Sequence, residues 1–163
     1  MLSTPIYHSA LKRANQLKWD KWFLGLAQYV STASKDPSTK VGAVIVDENR
    51  IVRGMGYNGF PRGVDDSPER YNERELKYKL VVHAEVNACV NSIGNIKGGT
   101  IYVWPTLMVP NVCPECCKVV IQSGIRRVVG YEGPTNERWQ SMAEISSMML
   151  KEAGVAVDMV TPI

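Results

Sequence analysis

Histidine is almost missing from this chain: among 163 residues there are two, His8 and His83. Cysteine is scarce too, at four, and three of these fall within residues 113–117. So tight a cluster is a poor disulfide framework for a chain long enough to build a core. A charge excess is lacking, since 19 basic against 16 acidic residues leave +3. That excludes the concentrated basic face expected of a polynucleotide binder. Long hydrophobic runs are absent as well. The longest uncharged stretch, Gly98 to Pro114, carries two glycines and three prolines, so it forms no membrane helix. Pro5 and His8 interrupt the apolar run that a signal peptide would need. The chain therefore reads as cytoplasmic, with neither a membrane nor a polynucleotide as partner.

What is present is ordinary: 45% apolar and 21% charged residues, which excludes collagen, coiled coil and wholesale disorder. No repeat and no linker interrupts the chain, and its length suits a single domain over residues 1–163. Residues 18–30 place Trp19, Trp22, Phe23, Leu26 and Val30 at helical intervals. Val41–Val46 reads as a strand buried on both faces, and Arg50–Tyr57 pairs back on it. Arg62–Lys79, with five basic and five acidic side chains, reads as a solvated mixed-charge segment with some helical character. Helices are expected over about 82–93, Pro114–Ser123 and Glu137–Ala153, the last with Trp139, Met142, Ile145, Met149 and Leu150 on one face. Strands at Thr100–Trp104, Arg127–Tyr131 and Val155–Val160 alternate with these helices, which predicts parallel pairing. The expected fold is α/β, a five-stranded mixed sheet with helices on both faces in three layers.

Two short segments carry chemistry: His83-Ala84-Glu85 and Cys113-Pro114-Glu115-Cys116, each at the start of a helix. Cys-x-x-Cys alone is compatible with a structural zinc half-site or a redox pair. A structural zinc closed by four protein ligands has no use for Glu85, and a thiol–disulfide centre has none for His83. Two thiolates and one imidazole instead make a three-ligand zinc site with an open position for water. Helix starts stabilise thiolate charge, and Glu85 sits where its carboxylate reaches a zinc-bound water without ligating the metal. Hydroxide attack on an amino-bearing ring carbon, followed by loss of ammonia, needs those parts. Cys89 and Cys117 read as buried free thiols, and His8 as an exposed side chain.

On these two motifs the chain resembles the zinc-dependent cytidine/deoxycytidylate deaminase superfamily. Ser34-Lys35-Asp36-Pro37, Gly56-Tyr57-Asn58-Gly59-Phe60-Pro61-Arg62-Gly63 and Lys77-Tyr78 make it similar to the deoxycytidylate (dCMP) branch in particular, over about residues 20–160. The resemblance implies hydrolytic deamination of dCMP to dUMP, with one zinc per subunit on His83, Cys113 and Cys116 and with Glu85 as proton carrier. It further implies that Asn58 meets the sugar, Ala84 the pyrimidine, Ser34 and Lys35 the 5′-phosphate, and that Tyr131 covers the pocket. Regulation by dCTP and dTTP with Mg2+ would fall to Gly56, Tyr57, Gly59 and Arg62. A homo-oligomer, with a hexamer favoured, is the implied assembly.

The sequence also departs from the family pattern. Val112 stands where proline usually precedes the first zinc cysteine, Cys117 stands where alanine is common, and the loop from Trp104 to Val112 is long. The alternatives are deamination of another base (cytidine, cytosine or tRNA adenosine) or a non-catalytic zinc or nucleotide-binding module. The balanced charge of Arg62–Lys79 counts against tRNA, and the intact Glu85 counts against the module.

Overall fold

The computed structural model of the chain describes residues 5–162, with side chains from Ser9 onward, so the His8 side chain lies outside the described residues. Five strands form one sheet in the order β2-β1-β3-β4-β5. They are β1 (Gly42–Val46), β2 (Val52–Tyr57), β3 (Thr100–Trp104), β4 (Arg127–Tyr131) and β5 (Ala156–Val160). β1 runs antiparallel to both β2 and β3, while β3, β4 and β5 run parallel. The helices are α1 (Pro5–Ser31), α2 (Pro68–Asn72), α3 (Arg74–Leu80), α4 (Ala84–Val90), α5 (Pro114–Gln122) and α6 (Gln140–Glu152). A single 3-10 turn, Glu137–Trp139, leads into α6.

Strand alternation builds two cores. On one face Ala43, Ile45, Ile101, Val103 and Val128 meet Ala84, Ala88, Cys116, Val120 and Leu150, from α4, α5 and α6. On the other face Val44, Val46, Tyr102, Val129 and Val160 meet Phe23, Leu24 and Ala27 of α1. The result is the three-layer α/β/α sandwich expected from the sequence. Each fully buried aliphatic or aromatic side chain here contributes roughly 1.5–3 kcal/mol before ordering costs.

A polar clasp ties α1 to the sheet. The Arg127 guanidinium donates to Asp20 at 2.7 and 2.8 Å, and the Tyr102 hydroxyl donates to the same carboxylate at 2.8 Å. Close approach on the other face depends on β2 glycine. A Cβ on Gly56 would lie 2.3 Å from the Ala88 backbone nitrogen and 2.4 Å from the Ala84 carbonyl oxygen. α4 therefore lies directly on the β2 backbone.

Several elements differ from expectation. α1 begins at Pro5 rather than near residue 18, because residues 9–18 lie largely exposed and offer no apolar face to mark the period. Its Trp22 is 56% exposed, so the aromatic stripe is only partly core. The buried face of α6 is Ala143, Ser146 and Leu150, whereas Ile145 is 47% exposed. The 3-10 turn takes Trp139 out of register with the α-helix that follows. Arg62–Lys79 folds as α2 and α3 and is not wholly solvated, since it buries Tyr71 and Lys77.

Candidate active site and metal centre

His83 is the residue immediately before α4, and Cys113 holds the same position before α5. Pro114 opens α5 at a position where a missing N–H costs nothing, and Cys113 Sγ accepts from the Cys116 backbone N–H. The two helix starts face each other across the carboxyl-end side of β3. His83 Nδ1 lies 3.3 Å from Cys116 Sγ and 3.4 Å from Cys113 Sγ. All three donor atoms fall within 4.8 Å of one another. Tetrahedral zinc with ordinary bond lengths spaces sulfur and nitrogen ligands by about 3.5 Å. The donor set and its spacing therefore fit zinc. His83, Cys113 and Cys116 are the only such trio among the described residues.

The three groups polarise one another. Bonding from Cys116, against the cost of burial and helped by His83, holds the Cys113 thiol down at about 4. The Cys113 thiolate in turn pushes the His83 imidazole up to about 8, against burial. Cys116, deeper and beside both Cys113 and Glu85, is pushed strongly upward. Glu85 is buried in the first turn of α4, and burial raises its carboxyl against the pull of His83. Cys117 points away from the trio, buried, with its Sγ 3.8 Å from the Val112 carbonyl oxygen. Cys89 packs half-buried against the α4–α5 core.

Above the trio lies a cavity of about 370 Å³. His83, Ala84, Glu85 and Cys113 form its floor, with Val41, Asn58, Val103 and Val112 beside them. The long loop after β3 supplies one wall through Pro105, Leu107, Met108 and Asn111. Asn111 shapes that wall, since its amide donates to the Val103 and Pro105 carbonyls at 2.9 and 3.0 Å. It also accepts from the Leu107 N–H at 3.1 Å. The rim carries Arg74, Lys77, Tyr78 and Trp139.

The remaining sequence candidates are divided. Ala84 and Asn58 line the cavity. The Asn58 oxygen accepts from the Val41 N–H at 2.7 Å, and its NH2 donates to the Thr39 carbonyl at 2.9 Å. Ser34, Lys35 and Tyr131 are not in the lining. The Ser34 hydroxyl is buried and donates to the Asn58 carbonyl at 2.7 Å, which staples two loops together. Lys35 is exposed and pairs with Asp66 at 2.7 Å. Tyr131 packs on the α1 side of the sheet, the face opposite the cavity, because its position in β4 has the parity of Val129. Gly56 is covered by α4, Tyr57 and Gly59 lie at and just beyond the end of β2, and Arg62 bonds to Asn91. Arg74, Asn111 and Trp139 were not singled out from the sequence as site residues. Only the irregular apolar loop from Pro105 to Val112, with its one asparagine, and the aromatic before α6 could have signalled the last two.

Three ligands with an open fourth position, beside a buried carboxylate in a cavity of small-molecule size, define a zinc-dependent hydrolytic enzyme of the nucleobase deaminase type. Residues 17–132 match the family described as the cytidine and deoxycytidylate deaminase zinc-binding region, and the chain belongs to that family. A deaminase of Aliivibrio fischeri, encoded in the luxG 3′ region, is 42% identical over 144 residues, covering 86% of this chain and 92% of that protein. The deoxycytidylate deaminase of Mus musculus is 38% identical over 161 residues, covering 94% of this chain and 86% of that protein. Among solved structures, the dCMP deaminase of cyanophage S-TIM5 in complex with dCMP and dUMP superposes with a TM-score of 0.65. It does so at 24% identity over 88% of this chain and 97% of that one, a likeness of fold.

Proposed function

We propose that this protein hydrolyses dCMP to dUMP and ammonia, supplying dUMP for thymidylate synthesis. The observation that carries the reading is the buried Glu85 carboxylate, two residues beyond His83 and lining the same cavity as His83 and Cys113. Zinc held by His83, Cys113 and Cys116 supplies Lewis acidity that brings the pKa of water towards about 7. Ala84, buried at the start of α4, gives the pyrimidine an apolar seat beside its backbone. Glu85 takes a proton from the attacking water, passes it to the ring nitrogen, and delivers the second proton to the departing amine. One oxygen enters the ring carbon as one amine leaves, so dCMP and water give dUMP and ammonia. Asn58 flanks the sugar: its oxygen accepts one bond from the chain, and an amide oxygen has two lone pairs.

The test is ammonia release from dCMP, dCTP, deoxycytidine, cytosine and an adenosine oligonucleotide in parallel. The expected result is preference for dCMP, with Glu85→Gln keeping zinc and losing at least ~100-fold in kcat. Near-normal turnover by that variant would end the proton-carrier assignment.

No helix among the described residues is long and apolar enough to cross a membrane, in keeping with a cytoplasmic enzyme. Exposed Met55 and Tyr57 on the edge strand β2, with Val90 at the end of α4 and Ile93 in the loop after it, support a homo-oligomer, for which a hexamer is favoured. Sedimentation of the assayed sample reads the assembly. Control by dCTP or dTTP with Mg2+ at Gly56, Tyr57, Gly59 and Arg62 has less support, since Gly56 is covered by α4.

A further inference from the structure

Two guanidinium groups from distant parts of the chain flank the cavity mouth, Arg74 in its lining and Arg138 behind the lining residue Trp139. Arg74, in α3, lies 5.5 Å from the centre of the Tyr78 ring, and Arg138, in the turn before α6, lies 4.8 Å from that of Trp139. Tyr78 and Trp139 both line the cavity, as does Arg74. Both arginines also reach the Tyr78 phenol and together hold it below the usual range for tyrosine. Neither has a carboxylate partner among the described residues. The third cation of the rim is different. Lys77 is almost buried and neutralised by Asp36 at 3.0 Å. Two like charges converging on one phenol repel, and an anion between them relieves that repulsion.

We infer that Arg74 and Arg138 form a clamp at the cavity mouth that takes the 5′-phosphate of a nucleoside monophosphate, with Tyr78 between them. The inference rests on the dCMP reading and deepens it. A pyrimidine seated on the His83–Glu85 floor leaves its 5′ end directed at the mouth, where the guanidinium forks match phosphate oxygens in pairs. The phosphate contact is thereby assigned to α3 and the turn before α6, and not to Ser34, whose hydroxyl is spent on the Asn58 carbonyl, or to Lys35, whose charge is paired with Asp66.

The experiment compares wild type, R74A, R138A, R74A/R138A, R74K and K35A in kcat/KM for dCMP and for deoxycytidine at fixed ionic strength. Binding of dUMP and of deoxyuridine is measured alongside by calorimetry. Both arginines are exposed, so the variants keep the fold. The expected result is a fall of about ten- to a hundredfold in the dCMP-to-deoxycytidine ratio for each arginine-to-alanine change. R74K should recover part of that loss, and K35A should keep the wild-type ratio. Equal slowing of both substrates, or loss of the preference in K35A alone, would overturn the clamp. Ammonia release from neither substrate by wild type would instead defeat the dCMP reading. In that case the dUMP arm still decides the clamp, because unchanged dUMP binding in R74A/R138A overturns it and selective loss relative to deoxyuridine upholds it.

Discussion

At Cys116 the chain turns a thiol towards His83, and one residue later Cys117 buries its thiol against Val112. A helix rotates successive side chains by about 100°, which turns Cys117 away from the site that Cys116 enters. Cys116→Ser should therefore reduce zinc from about one per chain to near none after dialysis, while Cys117→Ser should keep it. Metal analysis of both variants checks this, and zinc loss from Cys117→Ser would show the ligand set to be wrong. The same locality explains what could be read in advance. His83, Glu85, Cys113 and Cys116 are related by spacings within single helical turns, which sequence displays. The convergence of Arg74, Asn111 and Trp139 on one cavity is a property of tertiary packing and leaves no such spacing. Ser34, Lys35 and Tyr131 illustrate the converse. The family resemblance placed them at the site, but a loop staple, an ion pair and strand parity direct their side chains elsewhere.

Among elements, α4 matters most, because it carries Glu85 and begins beside His83. Its seat on β2 requires glycine at residue 56. Gly56→Ala would force the backbone of α4 to move, since the nearest atoms are main chain at 2.3 and 2.4 Å. The expected cost is about 1–3 kcal/mol in unfolding free energy, with kcat reduced as Glu85 shifts. Gly59→Ala, whose nearest neighbour is the Tyr71 hydroxyl at 3.7 Å, should unfold almost as wild type. Denaturant titration and turnover of the two variants make the comparison, and equal stability would remove the packing account. The strands were legible to within about two residues because alternation and turn residues bound them. Helix α1 was less so, since its exposed first half has no buried face. Within α6, a one-position rotation put Ile145 outside and Ser146 inside.

For the molecule as a whole, the Asp20 clasp sets the response to acid. Burial would raise the Asp20 carboxyl, but the Arg127 guanidinium, with Gln16 and Tyr102 also donating, holds it below the usual carboxylate range. A carboxyl lowered in this way contributes stability above its unfolded pKa and loses that contribution as pH falls through the folded value. Thermal unfolding from pH 7 down to about pH 2 should therefore show Tm falling at the acid end. Asp20→Asn should be roughly 2–3 kcal/mol less stable at neutral pH and should show a shallower acid slope. An unchanged slope would mean that other carboxylates govern acid unfolding. The placement of the zinc trio has a further consequence, this one in time. His83 precedes β3 in the chain, whereas Cys113 and Cys116 follow it. During synthesis the imidazole emerges 30 residues before its first sulfur partner. Metal capture must wait for the central strand to be laid down and the crossover to close over it. The ion then acts as a latch that registers completed topology, retained only by chains whose two halves have met in the correct order.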